Sequence, residues 1–188
     1  MKIIMNTHHL ILGTVKDFLS GEEIADTHDE RYRQKIARFL VEEKGFSRDD
    51  IKGGNRLVVS ASGKKAMIIV DFLVYAGGKA MMLIKYGPGS IITRHRPALA
   101  AARLMASHQI PVVVVTNGEA ADVLCGRSGK IRGTGFEAIP GNTELLSMSE
   151  QEDQVICAKR QELESRILYA FEVDGSCPCD SDICRIES

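Results

Sequence analysis

The stretch AMIIVDFLVYAGGKAMMLIKY, residues 66–86, decides the fold of this chain. It contains two almost continuously apolar segments, Ala66–Tyr75 and Ala80–Tyr86, separated by Ala76-Gly77-Gly78-Lys79. A connection this short can join only antiparallel neighbours. Apolar residues at nearly every position indicate strands that are buried on both faces. The stretch therefore predicts two central strands of a sheet that is covered on both sides.

The residues before this stretch predict a third strand, a helix and a hairpin. Arg56–Ala61 reads as a strand joined to the next one by Ser62-Gly63-Lys64-Lys65. A helix from about Asp29 to Lys44 has Thr27 or Asp29 as its cap and Gly45 at its end. Residues 11–27 have the pattern of a β-hairpin that turns at Ser20-Gly21.

The residues after it predict a helix from about Pro97 to Ser107, a buried strand Pro111–Val115 and a further strand Ala121–Leu124. Residues 142–171 read as one or two helices, and residues 172–188 as an irregular tail that carries cysteines. The predicted fold is a mixed α/β sheet in the order helix, three antiparallel strands, helix, strand. We divide the chain into an N-terminal hairpin extension (1–28), a core (29–135) and a helical, acidic C-terminal extension (136–188).

Composition indicates one domain of 188 residues with enough apolar mass for a single core. The first residues, Met1–Leu12, lack the long apolar run of a signal peptide or a membrane span, so we expect a cytoplasmic protein without membrane contact. In a reducing compartment, five cysteines favour free thiols or a metal site over disulfides.

Charge is divided sharply along the chain although the net charge is only −1. Residues 52–133 hold 12 Lys and Arg against 3 Asp and Glu, whereas residues 134–188 hold 4 against 12. Residues 1–51 are nearly balanced, with 8 against 10. A basic segment of this kind predicts a surface that meets a polyanion, most simply DNA, and the acidic tail could fold back and neutralise that surface.

Asp71 and Lys85 are the charged residues that interrupt the two apolar strands. Burying a carboxylate costs several kcal/mol unless a cation compensates it, and that cation can be a metal ion or a lysine. One interpretation is a simple Asp71–Lys85 ion pair, or a Lys85 side chain that reaches solvent at the strand end. The functional alternative is a magnesium-assisted phosphodiesterase site, in which Asp71 binds the ion and Lys85 stabilises the transition state.

An Asp on the second strand, a Lys at the end of the third, then a helix and an apolar strand resemble the PD-(D/E)xK nuclease superfamily. Within that superfamily, the chain resembles the N-terminal nuclease domain of type I restriction enzyme R subunits. Residues 30–34 and 39–46 resemble its opening helix, and Val115-Thr116-Asn117-Gly118 resembles its last core strand and turn. The resemblance covers about residues 29–135 and implies a restriction-endonuclease-like core, magnesium and DNA.

The chain departs from that family at positions that matter for catalysis. Leu83 stands where the superfamily has a second metal-binding carboxylate or a glutamine, which implies at most weak magnesium binding. Ala100 and Leu104 stand where the R-subunit family carries a glutamine and a tyrosine that position DNA. Glu30 or Glu43 of the opening helix could supply a relocated carboxylate, and we count Glu30 with Asp71 and Lys85 as the candidate catalytic residues.

Five basic residues of the middle segment are candidate nucleic-acid contacts. Lys64 and Lys65 lie in a predicted turn, Arg94 and Arg96 precede the second helix, and Arg103 lies within it. Positive side chains at a helix start do not complement the helix dipole, so a phosphate contact would explain the two that precede the helix. The alternative is an ordinary solvated face.

Cysteines near the end of the chain form a second possible metal site. Cys177, Cys179 and Cys184 have C-x-C-x4-C spacing, and Cys157 lies upstream. Some nucleases of the superfamily hold an iron–sulfur cluster with one cysteine before the core and three after it, which is a different order. Zinc or an iron–sulfur cluster at these four cysteines is one interpretation, and free thiols are the other.

The function that these features predict is a degenerate DNA nuclease with a DNA- or partner-binding role. The alternatives are an active magnesium-dependent endonuclease with a relocated carboxylate, and a metal- or redox-responsive protein that uses its C-terminal cysteines. Because residues 1–188 contain no P-loop motif, an ATP-driven helicase function would have to come from a protein partner. A homodimer is also an open alternative.

Overall fold

The computed structural model of the chain describes residues 11–150, 153–176 and 183–186. A mixed sheet of seven strands occupies the centre, and helices pack on both of its faces. The mixed α/β class predicted from the sequence is confirmed.

Three antiparallel strands form one half of the sheet, as predicted. They are β3 (Ile51–Ala61), β4 (Lys64–Ala76) and β5 (Lys79–Tyr86). Each connection is a two-residue turn, Ser62-Gly63 and Gly77-Gly78, in which both residues have positive φ. Turns with this backbone match the twist of the adjoining strands, which allows β3 and β4 to be longer than the apolar pattern suggested.

The N-terminal hairpin and the opening helix also follow the prediction. β1 (Gly13–Lys16) pairs with β2 (Glu23–Asp26), and α1 (His28–Glu42) begins directly after them. Thr27 is the cap, because its hydroxyl accepts a hydrogen bond of 3.1 Å from the Glu30 backbone amide. The buried face of α1 repeats with helical spacing, which fixes the helix on the sheet.

The second half of the sheet begins with a crossover through α2 (His95–Ala102), so that β6 (Val112–Thr116) runs parallel to β5. β7 (Ala121–Cys125) and β8 (Ile131–Thr134) follow as antiparallel neighbours. The predicted end of the second helix at Ser107 was wrong, because the chain turns after Ala102 to enter β6. Strand β8 was missed, since its four residues are mostly exposed and lack an apolar pattern.

The C-terminal extension contains α3 (Asn142–Ser149) and α4 (Ala158–Leu168), which agrees with the predicted one or two helices. α4 continues as a π-helical segment, Tyr169–Asp174. β9 (Cys184–Ile186) pairs with β4. The prediction of an irregular tail from residue 172 was therefore wrong for the end of the π-helical segment and for β9, because the partners of both are distant in sequence.

Two apolar cores lie on opposite faces of the sheet. The first contains buried residues of α1 and α3, including Leu40 and Leu145. The second contains α2, the end of α4 and the π-helical segment, including Leu168 and Val173. The two halves of the C-terminal extension thus pack on different faces of the same sheet.

None of the helices in the described ranges combines the length and the apolar character that crossing a membrane requires.

Candidate functional site

A cleft of about 820 Å³ opens between the N-terminal hairpin, α1 and strands β3 and β4. Asp71 and Glu30, two of the three predicted catalytic residues, both line it. The charged side chains in its wall have both signs and comprise Asp17, Glu22, Glu30, Arg33, Arg48, Asp49, Arg56 and Asp71. The cleft therefore has the polar character of a binding site without a large excess of either charge.

Asp71 is only 5 % exposed, and both of its carboxylate oxygens have partners within the protein. Oδ1 accepts a hydrogen bond of 2.7 Å from Nε of Arg33, and Oδ2 accepts one of 2.8 Å from the backbone amide of Tyr86. The Arg33 guanidinium supplies the compensating positive charge that a buried carboxylate requires. The cation beside Asp71 is thus an arginine of α1, whereas the sequence suggested a metal ion or Lys85.

Arg33 was missed as a site residue, although the helical spacing of the sequence indicates its position. Arg33, Ile36, Ala37 and Leu40 have the i, i+3, i+4, i+7 spacing of one helix face, and the last three are buried. Arg33 therefore continues the stripe that faces the sheet. Its guanidinium also lies 5.7 Å from the centre of the Tyr86 ring.

Glu30 lies beside this pair on the first turns of α1. Its Oε1 accepts a hydrogen bond of 2.7 Å from Gln34, and its Oε2 lies 3.7 Å from Nη1 of Arg33. Burial raises the pKa of Glu30 above its ordinary value, against the opposing effects of Gln34 and Arg33, and the negative charge of Asp71 raises it further. Glu43, the other candidate on this helix, is exposed at its C-terminal end.

Lys85 is buried at the end of β5, but Asp71 is not its ion-pair partner. Its Nζ donates a hydrogen bond of 2.9 Å to the backbone carbonyl of Ile69 and lies 3.2 Å from Oε2 of Glu172. The simple Asp71–Lys85 pair was therefore the wrong interpretation, because each charge has a partner from another element. Glu172 could not be identified from the sequence, since it lies far from Lys85 in the chain.

The surroundings of Leu83 do not favour a second carboxylate at this position. Its side chain is fully buried, lies opposite Leu73 of β4 and belongs to the core on the α2 face. An apolar side chain there completes the packing of that core.

The predicted nucleic-acid contacts lie in three different environments. Lys64 and Lys65 are exposed at the start of β4. Arg94 packs against Gly87 and donates a hydrogen bond of 3.0 Å to the Pro88 carbonyl.

Arg96 and Arg103 form ion pairs of 2.6 and 2.7 Å with Glu164 of α4, which is fully buried. Arg160 adds a third ion pair to the same carboxylate, at 2.6 Å. Glu164 was missed, although it lies four residues from both Arg160 and the buried Leu168 on one helix face. These arginines connect the acidic extension to the core.

The donor set beside Asp71 does not fit the magnesium site that the resemblance implies. Magnesium takes about six oxygen ligands with little geometric tolerance. Asp71 is bonded to Arg33 and Tyr86, and Leu83 offers no oxygen. Within residues 11–150, 153–176 and 183–186, no group of three or more His, Cys, Asp or Glu is arranged to hold a metal ion.

The predicted cysteine site can be located only in part. Cys157 is exposed at the N-terminal cap of α4, and Cys184 is exposed in β9. Cys177 and Cys179 lie outside the described residues, so zinc or iron–sulfur binding stays a prediction.

Comparison with known proteins identifies one family. The family model described as type I restriction enzyme R protein N terminus (HSDR_N) matches residues 28–140, which is more than half of the chain. The matched span begins at α1, includes Asp71 and Lys85, and ends before α3. Neither the search of curated proteins nor the search of solved structures gave a match.

Proposed function

Because this chain belongs to the family of the type I restriction enzyme R protein N terminus, we propose that it is a nuclease-like domain that binds DNA without metal-dependent cleavage. In this proposal the restriction-endonuclease-like core has lost its magnesium chemistry and serves as a binding platform.

The observation that carries the proposal is the bond between Asp71 and Arg33. A metal-binding aspartate needs a cation, and the guanidinium supplies that charge through a 2.7 Å hydrogen bond. Magnesium would have to displace Arg33 and still find further oxygen ligands, because Leu83 provides none. Arg33 thus forms a stabilising ion pair with Asp71, and this pair occupies the carboxylate that would otherwise be available to a metal ion.

The DNA-binding part of the proposal rests on the distribution of charge. The span 52–133 carries an excess of nine positive charges, from 12 Lys and Arg against 3 Asp and Glu. Lysine and arginine bind phosphate oxygens and release condensed counterions, which supplies affinity without sequence preference. Of the predicted contacts, Lys64 and Lys65 are exposed, whereas Arg96 and Arg103 are paired with Glu164. We therefore assign the main DNA contacts among these residues to Lys64 and Lys65.

The catalytic half is tested by incubating supercoiled plasmid with the protein and either magnesium or manganese. We expect the wild type to cleave no faster than Asp71→Asn, which removes the charge but keeps the shape of the side chain. Robust cleavage by the wild type that Asp71→Asn abolishes would overturn the proposal.

The binding half is tested by fluorescence anisotropy of a labelled duplex across a salt series. Affinity should fall steeply with salt, and Lys64→Ala/Lys65→Ala should lower both the affinity and the slope of that dependence. The matched control is Lys35→Ala/Lys159→Ala, which removes the same charge from exposed positions on α1 and α4. Equal effects of the two double variants would reduce the interaction to net charge and contradict a contact at β4.

One observation favours the rival function, an active endonuclease with a relocated carboxylate. Glu30 lines the same cleft as Asp71, and its pKa is raised, as is common for groups at catalytic sites. In that case, the plasmid assay would show cleavage that both Glu30→Gln and Asp71→Asn abolish.

A further inference from the structure

The π-helical segment Tyr169–Asp174 packs against β3 and β4, and its Glu172 reaches Lys85 of β5. Tyr169 and Val173 anchor the segment in the core, so that Glu172 is directed at the lysine. The two side chains are only 11 % and 16 % exposed. This ion pair is therefore largely shielded from water, unlike the common surface pairs that contribute little.

A second cleft, of about 320 Å³, lies between this segment and the start of α2. Glu172 and Arg94 both line it, together with Thr93, Pro97 and Ser176. The Nε atom of Arg94 is buried and has no hydrogen-bond partner among the described residues. A buried donor without a partner costs free energy, which an anion that reaches Nε would recover.

We propose that Lys85 and Arg94 form a binding site for a phosphate group of the DNA backbone, and that Glu172 occupies this site in the free protein. The carboxylate serves as an internal anion that takes the place of the phosphate. This inference rests on the proposed DNA binding and adds to it a specific contact and a built-in competitor.

The charges explain why the competitor is needed. A buried lysine must have an anion close to it, and the carbonyl of Ile69 provides only a dipole. In the free protein, Glu172 neutralises Lys85. When DNA binds, a phosphate can replace the carboxylate, and Glu172 moves away from Lys85. Because the two anions compete for one site, a change that weakens the Glu172 contact should strengthen DNA binding, by a factor no larger than the loss of that contact.

The test compares two variants that each remove one negative charge from the same segment. Glu172→Gln breaks the ion pair with Lys85, whereas Asp174→Asn changes an exposed carboxylate of the π-helical segment. We expect Glu172→Gln to bind a labelled duplex roughly tenfold more tightly than wild type, which is a typical size for such coupling. Asp174→Asn should change the affinity much less.

A double-mutant cycle with Lys85→Met shows whether the gain in DNA affinity depends on Lys85. In the Lys85→Met background, adding Glu172→Gln should give no further gain in affinity. Glu172→Asp keeps the net charge but withdraws the carboxylate by one methylene group, so it should tighten binding with an intact fold even where Glu172→Gln unfolds the protein.

The outcomes separate this inference from the proposed function. Equal affinities of Glu172→Gln and Asp174→Asn, in a protein that binds DNA in a salt-dependent way, would overturn the internal competitor and leave DNA binding intact. A gain that persists in the Lys85→Met background would also overturn it. Absence of duplex binding by the wild type and by every variant at low salt would overturn the DNA-binding function itself.

Discussion

Two buried carboxylates, Asp71 and Glu164, lie on opposite faces of the sheet and are neutralised in different ways. Asp71 faces α1 and has one arginine and one backbone amide as partners. Glu164 faces α2 and has three arginines, two from the core side and one from its own helix. Both are nearly inaccessible to water, with 5 % and 0 % exposure.

The difference shows what each site does for the protein. Asp71 lies within the span that matches the restriction enzyme family, and it lines an open cleft with five acidic and three basic residues. Glu164 lies beyond that span and uses arginines that the charge pattern had assigned to DNA. Burial alone would raise the pKa of Glu164, but the hydrogen bond from Arg96 and the charges of Arg103, Arg96 and Arg160 lower it overall. Asp71 therefore belongs to the family-matched core, whereas Glu164 links the C-terminal extension to that core.

The largest expected effect comes from a substitution that introduces a carboxylate into the core without a neighbouring arginine or lysine. Leu83→Glu places a charge in the core, because Leu83 is fully buried and packs opposite Leu73. We expect the free energy of unfolding to fall by at least about 4 kcal/mol, measured by urea denaturation, since isolated buried charges cost several kcal/mol.

Leu83→Met is the matched control for this change, and it should cost less than about 1.5 kcal/mol. A stable Leu83→Glu protein that gains manganese affinity in calorimetry would instead mean that the metal site of the superfamily is retained.

Glu164→Ala tests the triple-arginine site. It leaves Arg103, which is 11 % exposed, without its anion, whereas the more exposed Arg96 and Arg160 can turn to solvent. We expect a loss of about 3–5 kcal/mol in the free energy of unfolding, the usual cost of breaking a buried pair. Glu162→Ala changes an exposed residue of the same helix and should stay within about 0.5 kcal/mol of wild type. A similar small loss for both would mean that α4 is not held by Glu164.

Asp71→Ala should have a smaller effect, because Arg33 is partly exposed and keeps Glu30 as an alternative partner. We expect a loss of about 2 kcal/mol from the broken pair and the unpaired Tyr86 amide. The double variant Arg33→Met/Asp71→Asn should cost less than the sum of its two single changes. Additive costs would show that Arg33 and Asp71 do not stabilise each other.

The smallest effects are in the pH dependence of stability, where Glu164 and Glu30 should differ in sign. The pKa of Glu164 is lowered in the fold, so its contribution is present above its ordinary value of 4.5 and is lost as the pH falls through the folded pKa. The pKa of Glu30 is raised, so its contribution is present below 4.5 and is lost as the pH rises through the folded pKa.

Denaturation of wild type, Glu164→Gln and Glu30→Gln across this range measures both differences. Relative to wild type, Glu30→Gln should gain stability as the pH rises, and Glu164→Gln should lose it. Slopes of the same sign would contradict the contrast between the two sites.

Much of the architecture was predictable because it depends on local patterns. The apolar runs around Asp71 and Lys85 predicted β4 and β5, and the glycine pair at 77–78 predicted the tight turn between them. Thr27 could be named as a helix cap because capping needs only a side-chain oxygen before the helix. Glu30 could be named as a candidate carboxylate because the resemblance places the opening helix beside the site. Strand β8 could not be predicted, since only its pairing with β7 makes it a strand.

The sequence by itself determined that a buried carboxylate and a buried lysine stand on neighbouring strands and that each needs a partner of opposite charge. Only the tertiary structure decided which partner each one has: Arg33 for Asp71, and Glu172 for Lys85. The physical reason is that burial acts on each residue and is visible in the local pattern. Ion pairing joins residues 38 and 87 positions apart in these two cases, and helix packing on the two faces of the sheet sets which charges meet.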